Sequence, residues 1–224
     1  IYAVFVGVGG YVLSFFLAWS LSQVTKRVRT VMAIIIYSPS MTGSVMLSTI
    51  FGVIFNGDES GYLNYFLLKF KFISEPVQWL QSDKCLLPIM IIVSLWSSMG
   101  VGFLAVLSGI MNVNEELYEA AYIDGVKNRF QEIIYVTIPS TKPQMLFSAV
   151  MSIVGTFSSA GVGVTLSGSN PTPNYAGQLI VTHIEDFGFL RYEMGYAAAV
   201  SVVLLIGIRL MSVGAEKLFG SKDE

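Results

Sequence analysis

The 224-residue chain is 54% hydrophobic and only 12% charged, with mean hydropathy +0.66 and a formal net charge of −2. Soluble domains carry roughly 25% charged residues, so an ordinary soluble domain is excluded, and no basic field invites nucleic acid. One cysteine, Cys85, and one histidine, His183, exclude an internal disulfide framework and a Cys/His zinc site.

Five stretches are long and apolar enough for a membrane helix, which needs about 20 residues. They run from Tyr2 to Leu21, Val31 to Phe55, Cys85 to Ile110, Pro143 to Leu166 and Tyr192 to Val213. The second holds Pro39 and Gly43, and the third has Pro88 near its start. The runs are continuous and do not alternate, which predicts helices rather than barrel strands. Internal proline and glycine are tolerated where neighbouring helices re-satisfy the backbone. Ile1 already lies in an apolar run, with no charged segment and no small-residue cleavage pattern at the start. The start therefore reads as the cut edge of a longer chain rather than as a signal peptide.

Basic residues predict the orientation. Lys26, Arg27, Arg29, Lys127, Arg129, Lys142, Arg209, Lys217 and Lys222 fall in three regions of one side and make up nine of the 13. The other side holds Lys69, Lys71, Lys84 and Arg191. The positive-inside rule then puts the segment between the third and fourth stretches, and the C-terminus, in the cytoplasm. The visible N-terminus is expected outside, so an odd number of upstream helices, most simply one, is expected to be missing. Arg209 is expected to snorkel from the end of the fifth helix.

Of the outer connections, residues 56–84 are mixed, with Tyr62, Tyr65 and Trp79 suited to a membrane interface. The next, residues 167–191, opens on SGSNPTPN, which is turn chemistry. Ala176, Leu179, Ile180, Ile184 and Phe187 then recur at helical spacing and predict a short amphipathic helix on the membrane or the bundle. No repeat or linker divides the chain, which reads as one membrane domain over residues 1–224.

Between Glu115 and Lys142 lie eight charges. Each would cost about 2.5–3.5 kcal/mol at the centre of a membrane helix, so this segment stays out of the bilayer. It is nevertheless helical in pattern. Asn112 or Asn114 followed by Glu115 and Glu116 predicts a helix start. Leu117, Ala120 and Ala121 fall on one face, and Gly125 suits a left-handed stop. Phe130, Ile133, Ile134 and Thr137 recur at i, i+3, i+4 and i+7, a second helix whose apolar stripe needs cover. Pro139 is expected to stop it, and Pro143 to start the next membrane helix. Two short helices joined by glycine make a stiff protrusion that runs into a membrane helix. The alanines leave a face without bulk, and Glu119 beside them offers one fixed charge.

EAAYIDG (residues 119–125), followed by TIP (residues 137–139), resembles the EAA loop of ATP-binding-cassette (ABC) importer permeases. The spacing from Gly125 to Pro139 is one residue longer than the family pattern, with Val136 and Ile138 in its aliphatic places. The longer form, with DGVKNRFQEI, resembles carbohydrate permeases of Gram-positive bacteria and their relatives. The resemblance covers essentially the whole chain. It implies an all-α integral membrane protein of the bacterial cell membrane, with the five-helix core of a type I, MetI-like permease. The EAA coupling helices would lie between the third and fourth visible helices. It further implies that Leu117, Glu119, Ala120, Ala121, Asp124, Gly125 and Pro139 form the contact with a cytoplasmic ATPase dimer. A second permease, identical or related, and an extracytoplasmic solute-binding protein would complete the system in its lipid bilayer. The chain itself has no G-x-x-x-x-G-K-[ST] phosphate loop, so the resemblance assigns ATP hydrolysis to the partner. No cofactor, metal or catalytic residue is implied.

The expected cargo is a sugar or oligosaccharide, with another small polar solute as the alternative. Ser94, Ser97, Ser98, Thr156, Ser158 and Ser159 are polar at mid-membrane depth and are candidates for the solute path, with Trp96 and Phe157 available to stack. Small polar residues also glue membrane helices together, and that reading stands beside the first for each residue. A secondary transporter usually places ionisable residues inside the bundle, whereas the five stretches hold only Glu193 and Arg209, both near ends. A membrane enzyme would need a motif such as H-E-x-x-H or G-x-S-x-G, and neither occurs.

Overall fold

The computed structural model describes residues 1–220; Lys222, counted above with the basic tail, lies outside them. Among the described residues all regular structure is helical. Helix α1 (Gly9–Ser22) is entered through a wide π-helical turn (Val4–Val8), and together they run 19 residues, long and apolar enough to cross a membrane. Arg29 closes its far end by donating to the carbonyls of Leu21, Ser22 and Val24.

The second apolar stretch divides into α2 (Lys26–Met41) and α3 (Ser44–Ile54), which meet at 99°. Pro39 sits in the last turn of α2, and the chain becomes extended at Thr42 and Gly43. The third divides into α5 (Asp83–Ser97) and α6 (Val101–Met111), bent by 44° around Gly100. Each of these pairs is long and apolar enough only when taken as one bent span. The fourth, expected as one run from Pro143 to Leu166, is also broken. Helix α10 (Lys142–Phe157) ends in SSAG, and α11 (Val162–Ser167) restarts after Gly161 at φ +69°. Glycine enters that left-handed region without a Cβ clash, so the break sits where the sequence permits it. The fifth is one continuous helix, α13 (Met194–Phe219), 26 residues long. Arg209 does reach along it, its Nη1 3.0 Å from the Glu216 carboxylate.

Helix α6 is the axis of the bundle, packing on α1 and on α10, and α10 packs in turn on α13. The α6–α10 contact is close because α6 presents glycines. A Cβ on Gly102 would stand 2.7 Å from Ser148 Oγ, and one on Gly109 2.9 Å from the Gln144 side chain. Small residues allow such approach where lipid supplies no hydrophobic drive between helices. Two apolar clusters fill the ends. Tyr2, Leu86, Met90 and Val93 form one, with Trp79 and Leu179 packed against it. Ala18, Phe103, Val106 and Ile110 form the other.

Residues 56–82 fold over the first cluster as a clip around α4 (Tyr62–Lys69). Its centre is Asn64, wholly buried. Asn64 Nδ2 donates to the carbonyls of Asn56, Asp58 and Val77, and Oδ1 accepts from Val77 N–H and, at 2.7 Å, from Trp79 Nε1. Trp79 thus faces inward, not toward the membrane interface expected of it. The expected amphipathic helix is α12 (Ile180–Glu185), extended by a π-helical turn to Leu190.

Asn64→Ala removes the shared partner of five groups, so we expect the clip to loosen by roughly 1–3 kcal/mol. Limited proteolysis of the intact protein checks this: cleavage within residues 56–82 should speed up while the bundle stays resistant.

Candidate functional site

The polar segment between α6 and α10 is a folded knuckle. Helix α7 (Glu115–Ile123) starts where Asn114 Oδ1 accepts from Glu116 N–H at 3.1 Å. Two acids in the first turn suit the helix dipole. It ends in a Schellman arrangement: Val126 N–H reaches the Ala121 carbonyl, Gly125 N–H reaches Tyr122, and Gly125 takes φ +97°. Nothing crowds Gly125, so the backbone conformation, not space, demands glycine there.

Helix α8 (Arg129–Glu132) is capped by Asn128, whose side chain accepts from Gln131 N–H. It runs on through a π-helical turn (Ile133–Thr137) into one further turn, α9 (Ile138–Ser140). Pro139 does not stop the helix as expected. The wide turn carries the chain past it, and the joint falls at Thr141, after which Pro143 opens α10. The wide turn also shifts the helical phase. The buried side is Glu132, Val136 and Thr137, while Phe130 and Ile134, expected to be covered, are exposed.

One carboxylate holds the knuckle together. Glu132, 5% exposed, accepts from Arg129 Nη1 at 2.8 Å and from Tyr122 Oη at 3.1 Å. That hydrogen bond, and the charge behind it, push the Arg129 pKa up. Tyr118 Oη lies 3.2 Å from Thr137 Oγ1, a second tie from α7 to the π turn. Buried Thr141 donates to the Thr137 carbonyl at 2.7 Å and so steadies the joint.

The Tyr118 and Tyr122 hydroxyls reach toward α8 and the turn after it, with the Tyr122 ring itself half exposed, and the other side of α7 is open. Leu117, Ala120, Ala121, Asp124 and Gly125 line one wall of a groove of ≈ 530 Å³. Gln131, Tyr135 and Val136 line the other. Sequence reading found the first wall and missed the second, because the phase shift that turns Tyr135 outward leaves no mark in the residue pattern. Glu119 is exposed beside the groove, and Pro139 is exposed next to Ser140, which closes its end.

The candidate path residues also come together. Ser94, Ser97, Ser98, Thr156 and Ser159 line one cleft of ≈ 290 Å³, joined by Tyr2 and Ser152. Tyr2 Oη donates to Ser94 Oγ at 2.8 Å and lies 3.3 Å from Ser159 Oγ. Ser152 donates to the Gly7 carbonyl. Ser158 is not among them: it ends α10 and is exposed. Trp96 packs edge-on against Phe51, 5.4 Å between centroids, and neither it nor Phe157 lines the cleft. A second cavity of ≈ 190 Å³ shares Ser98, Met151 and Ser152 and adds Ser14, Ser148 and Tyr11, whose hydroxyl is buried without a partner among the described residues. No charged side chain lines either space. His183 stands apart, its Nε2 3.2 Å from Tyr196 Oη and its ring 4.5 Å from Phe187.

Residues 10–215 match the family described as binding-protein-dependent transport system inner membrane component. The chain belongs to that family. It is 33% identical over 205 residues to the arabinooligosaccharides transport system permease protein AraP of Bacillus subtilis (strain 168), covering 92% of this chain and 64% of that protein. It is 27% identical to the lactose transport system permease protein LacF of Rhizobium radiobacter, covering 89% and 66%. The chain thus spans less than two thirds of the length of these relatives. Its fold is that of a chain in the crystal structure of a bacterial ABC transporter involved in the import of the acidic polysaccharide alginate. That match has a TM-score of 0.78 at 21% identity and covers 100% of this chain and 80% of that one. The all-helical, MetI-like permease architecture expected above is therefore the one present.

Glu132→Ala leaves Tyr122 and Arg129 without their shared acceptor. We expect a loss of roughly 1–3 kcal/mol in local stability, since Arg129 is itself largely exposed. Amide hydrogen exchange should rise across residues 115–131 and stay unchanged in α6. Gly125→Ala, which forces a Cβ into the left-handed region, should cost about 1–2 kcal/mol by the same readout.

Proposed function

We propose that the chain is the transmembrane permease subunit of an ABC importer, forming part of a solute path and coupling it to a separate cytoplasmic ATPase. The observation that carries this reading is the knuckle: an exposed groove on a rigid, ion-paired fold that passes through a single joint, Thr141, into α10. Each subunit of an ATPase dimer would seat against one such groove, with Leu117, Ala120, Ala121, Asp124 and Gly125 as the contact, Glu119 at its edge and Pro139 near its end. The knuckle and the C-terminus are then cytoplasmic, as the distribution of Lys and Arg supports.

The mechanism follows from what α10 carries. Ser152 and Thr156 on α10, and Ser159 just beyond it, face Ser94, Ser97 and Ser98 across the cleft. Closure of the ATPases on ATP pulls the knuckle, the knuckle turns α10, and the cleft changes width. That is a two-state element biased by a ligand bound elsewhere. The cleft offers hydroxyl donors and acceptors without a fixed charge, which suits a sugar or oligosaccharide; the names of AraP and LacF point the same way. The alternative cargo is another small polar solute. A second permease, identical or related, would supply the facing half of the path, and a solute-binding protein would deliver the cargo. We take residues 1–224 as one transmembrane domain.

In vesicles holding the assembled transporter, Ala121→Trp fills the groove and should cut uptake by more than about tenfold while leaving membrane insertion intact. Uptake at the unaltered rate would overturn the coupling role. Ser97→Leu, which narrows the cleft, should lower uptake while the ATPase still co-purifies.

A further inference from the structure

The outward face of α4 is made of rings. Tyr62, Tyr65, Phe66, Lys69 and Phe70 fall at i, i+3, i+4, i+7 and i+8, which is one stripe of a helix. All five are exposed, Phe66 at 54% and Phe70 at 64%. The opposite side, with Asn64, Leu67 and Leu68, is turned into the clip. A water-facing helix would carry its polar residues outward; this one carries aromatic rings.

The stripe is a continuous layer. Ring centroids lie 6.1 Å apart for Tyr65–Phe66, 6.5 Å for the stacked pair Phe66–Phe70 and 6.4 Å for Phe70–Phe72. Lys69 Nζ stands 5.7 Å from the Tyr65 ring. Phe72 joins the layer through the way the helix ends. Phe72 N–H reaches the Leu67 carbonyl and Lys71 N–H reaches Leu68, a Schellman end with Lys71 at φ +58°. Glycine is the usual occupant of that position. Here a lysine holds a left-handed conformation and stands beside the rings.

What covers such a face is decided by its chemistry and its neighbours. α4 contacts α3, whose Ile50 and Val53 are themselves exposed, so the stripe continues an apolar surface. Rings flanked by lysine are the composition of a membrane–water interface, with cations matched to headgroup phosphate. The Asn64 clip fixes the helix so that the rings face away from the bundle. We propose that α4 is an interfacial foot: it lies on the bilayer surface with Tyr65, Phe66, Phe70 and Phe72 sunk at the headgroup–acyl boundary and Lys69 and Lys71 reaching the phosphates. The foot anchors the clip, and through Trp79 the first apolar cluster, to the plane of the membrane. This anchoring needs a bilayer and holds whatever solute the protein carries.

The test uses the full assembled protein in vesicles of zwitterionic lipid with an anionic fraction. Phe66→Trp adds one indole to the native Trp19, Trp79 and Trp96, whose emission in the unaltered protein is subtracted. Lipids brominated high in the acyl chain should remove more than about half of the added emission, deep bromination less, and aqueous iodide little. Strong iodide quenching with no effect of brominated lipid would overturn the proposal. So would shielding that appears only when a soluble partner protein is added, which would make the stripe a protein-docking face. A melting temperature equal to that of the unaltered protein confirms that Phe66→Trp reports on a folded chain. The readout needs no transport, so it stands or falls separately from the importer reading.

Discussion

Among the described residues Glu132 is the one charged side chain in the buried set, and the knuckle depends on it. A carboxylate removed from water is tolerable only when its lone pairs are occupied. Here Arg129 arrives from one side and Tyr122 from the other, so satisfying the charge ties α7 to α8. The stiffness of the knuckle is therefore a consequence of electrostatics rather than of a hydrophobic core, which so small a fold does not have. α7 has no buried residue of its own. Without the ion pair and the Tyr118–Thr137 contact, the groove would be two short helices on a flexible link, and short isolated helices are marginal in water.

Much of this was readable in the residues. Asn114 gave the start of the segment's first helix, and Gly125 its turn. What was not readable was phase. The stripe of Phe130, Ile133, Ile134 and Thr137 assumed 3.6 residues per turn throughout, whereas the π-helical turn over Ile133–Thr137 leaves Ile134 exposed with Thr137 still buried, and Phe130, ahead of that turn, is exposed as well. Pro139 misled for the same reason: a proline breaks a regular helix because it lacks an N–H, and a turn that has already widened carries the chain past it. The solute cleft shows a similar division. Five of the six polar residues singled out converge, because serines near the break in each of two neighbouring spans face one another. Ser158 diverges because it terminates its helix, and helix ends are the least predictable feature of a sequence. Tyr2 and Ser152 complete the cleft from places that carry no motif.

The clip around α4 was the least legible part. A single asparagine in YLNYFLL carries no pattern, yet its side chain meets five backbone and indole groups from the two segments that flank α4. Its hold on Trp79 reverses the expected roles. The tryptophan is an internal strut, and the phenylalanines of α4, not noticed from the sequence, form the apolar exterior. Apolar periodicity alone does not say which side of a helix is the inside. In a membrane chain both sides have an apolar option.

The glycines of α6 join these parts. Gly102 and Gly109 let α10 approach α6 so closely that one added methyl group at either would meet a side chain of α10. Packed interiors shift between discrete arrangements rather than deforming smoothly. A pull on the knuckle thus cannot be absorbed by compressing the α6–α10 seam; it has to slide or rotate α10 along it. The seam is narrow at Gly109, near the knuckle, and opens at Ser98 and Ser152 into the two cavities. In the proposed mechanism a small rotation at Thr141 would therefore be carried along α10 toward Thr156, where the wall of the cleft stands.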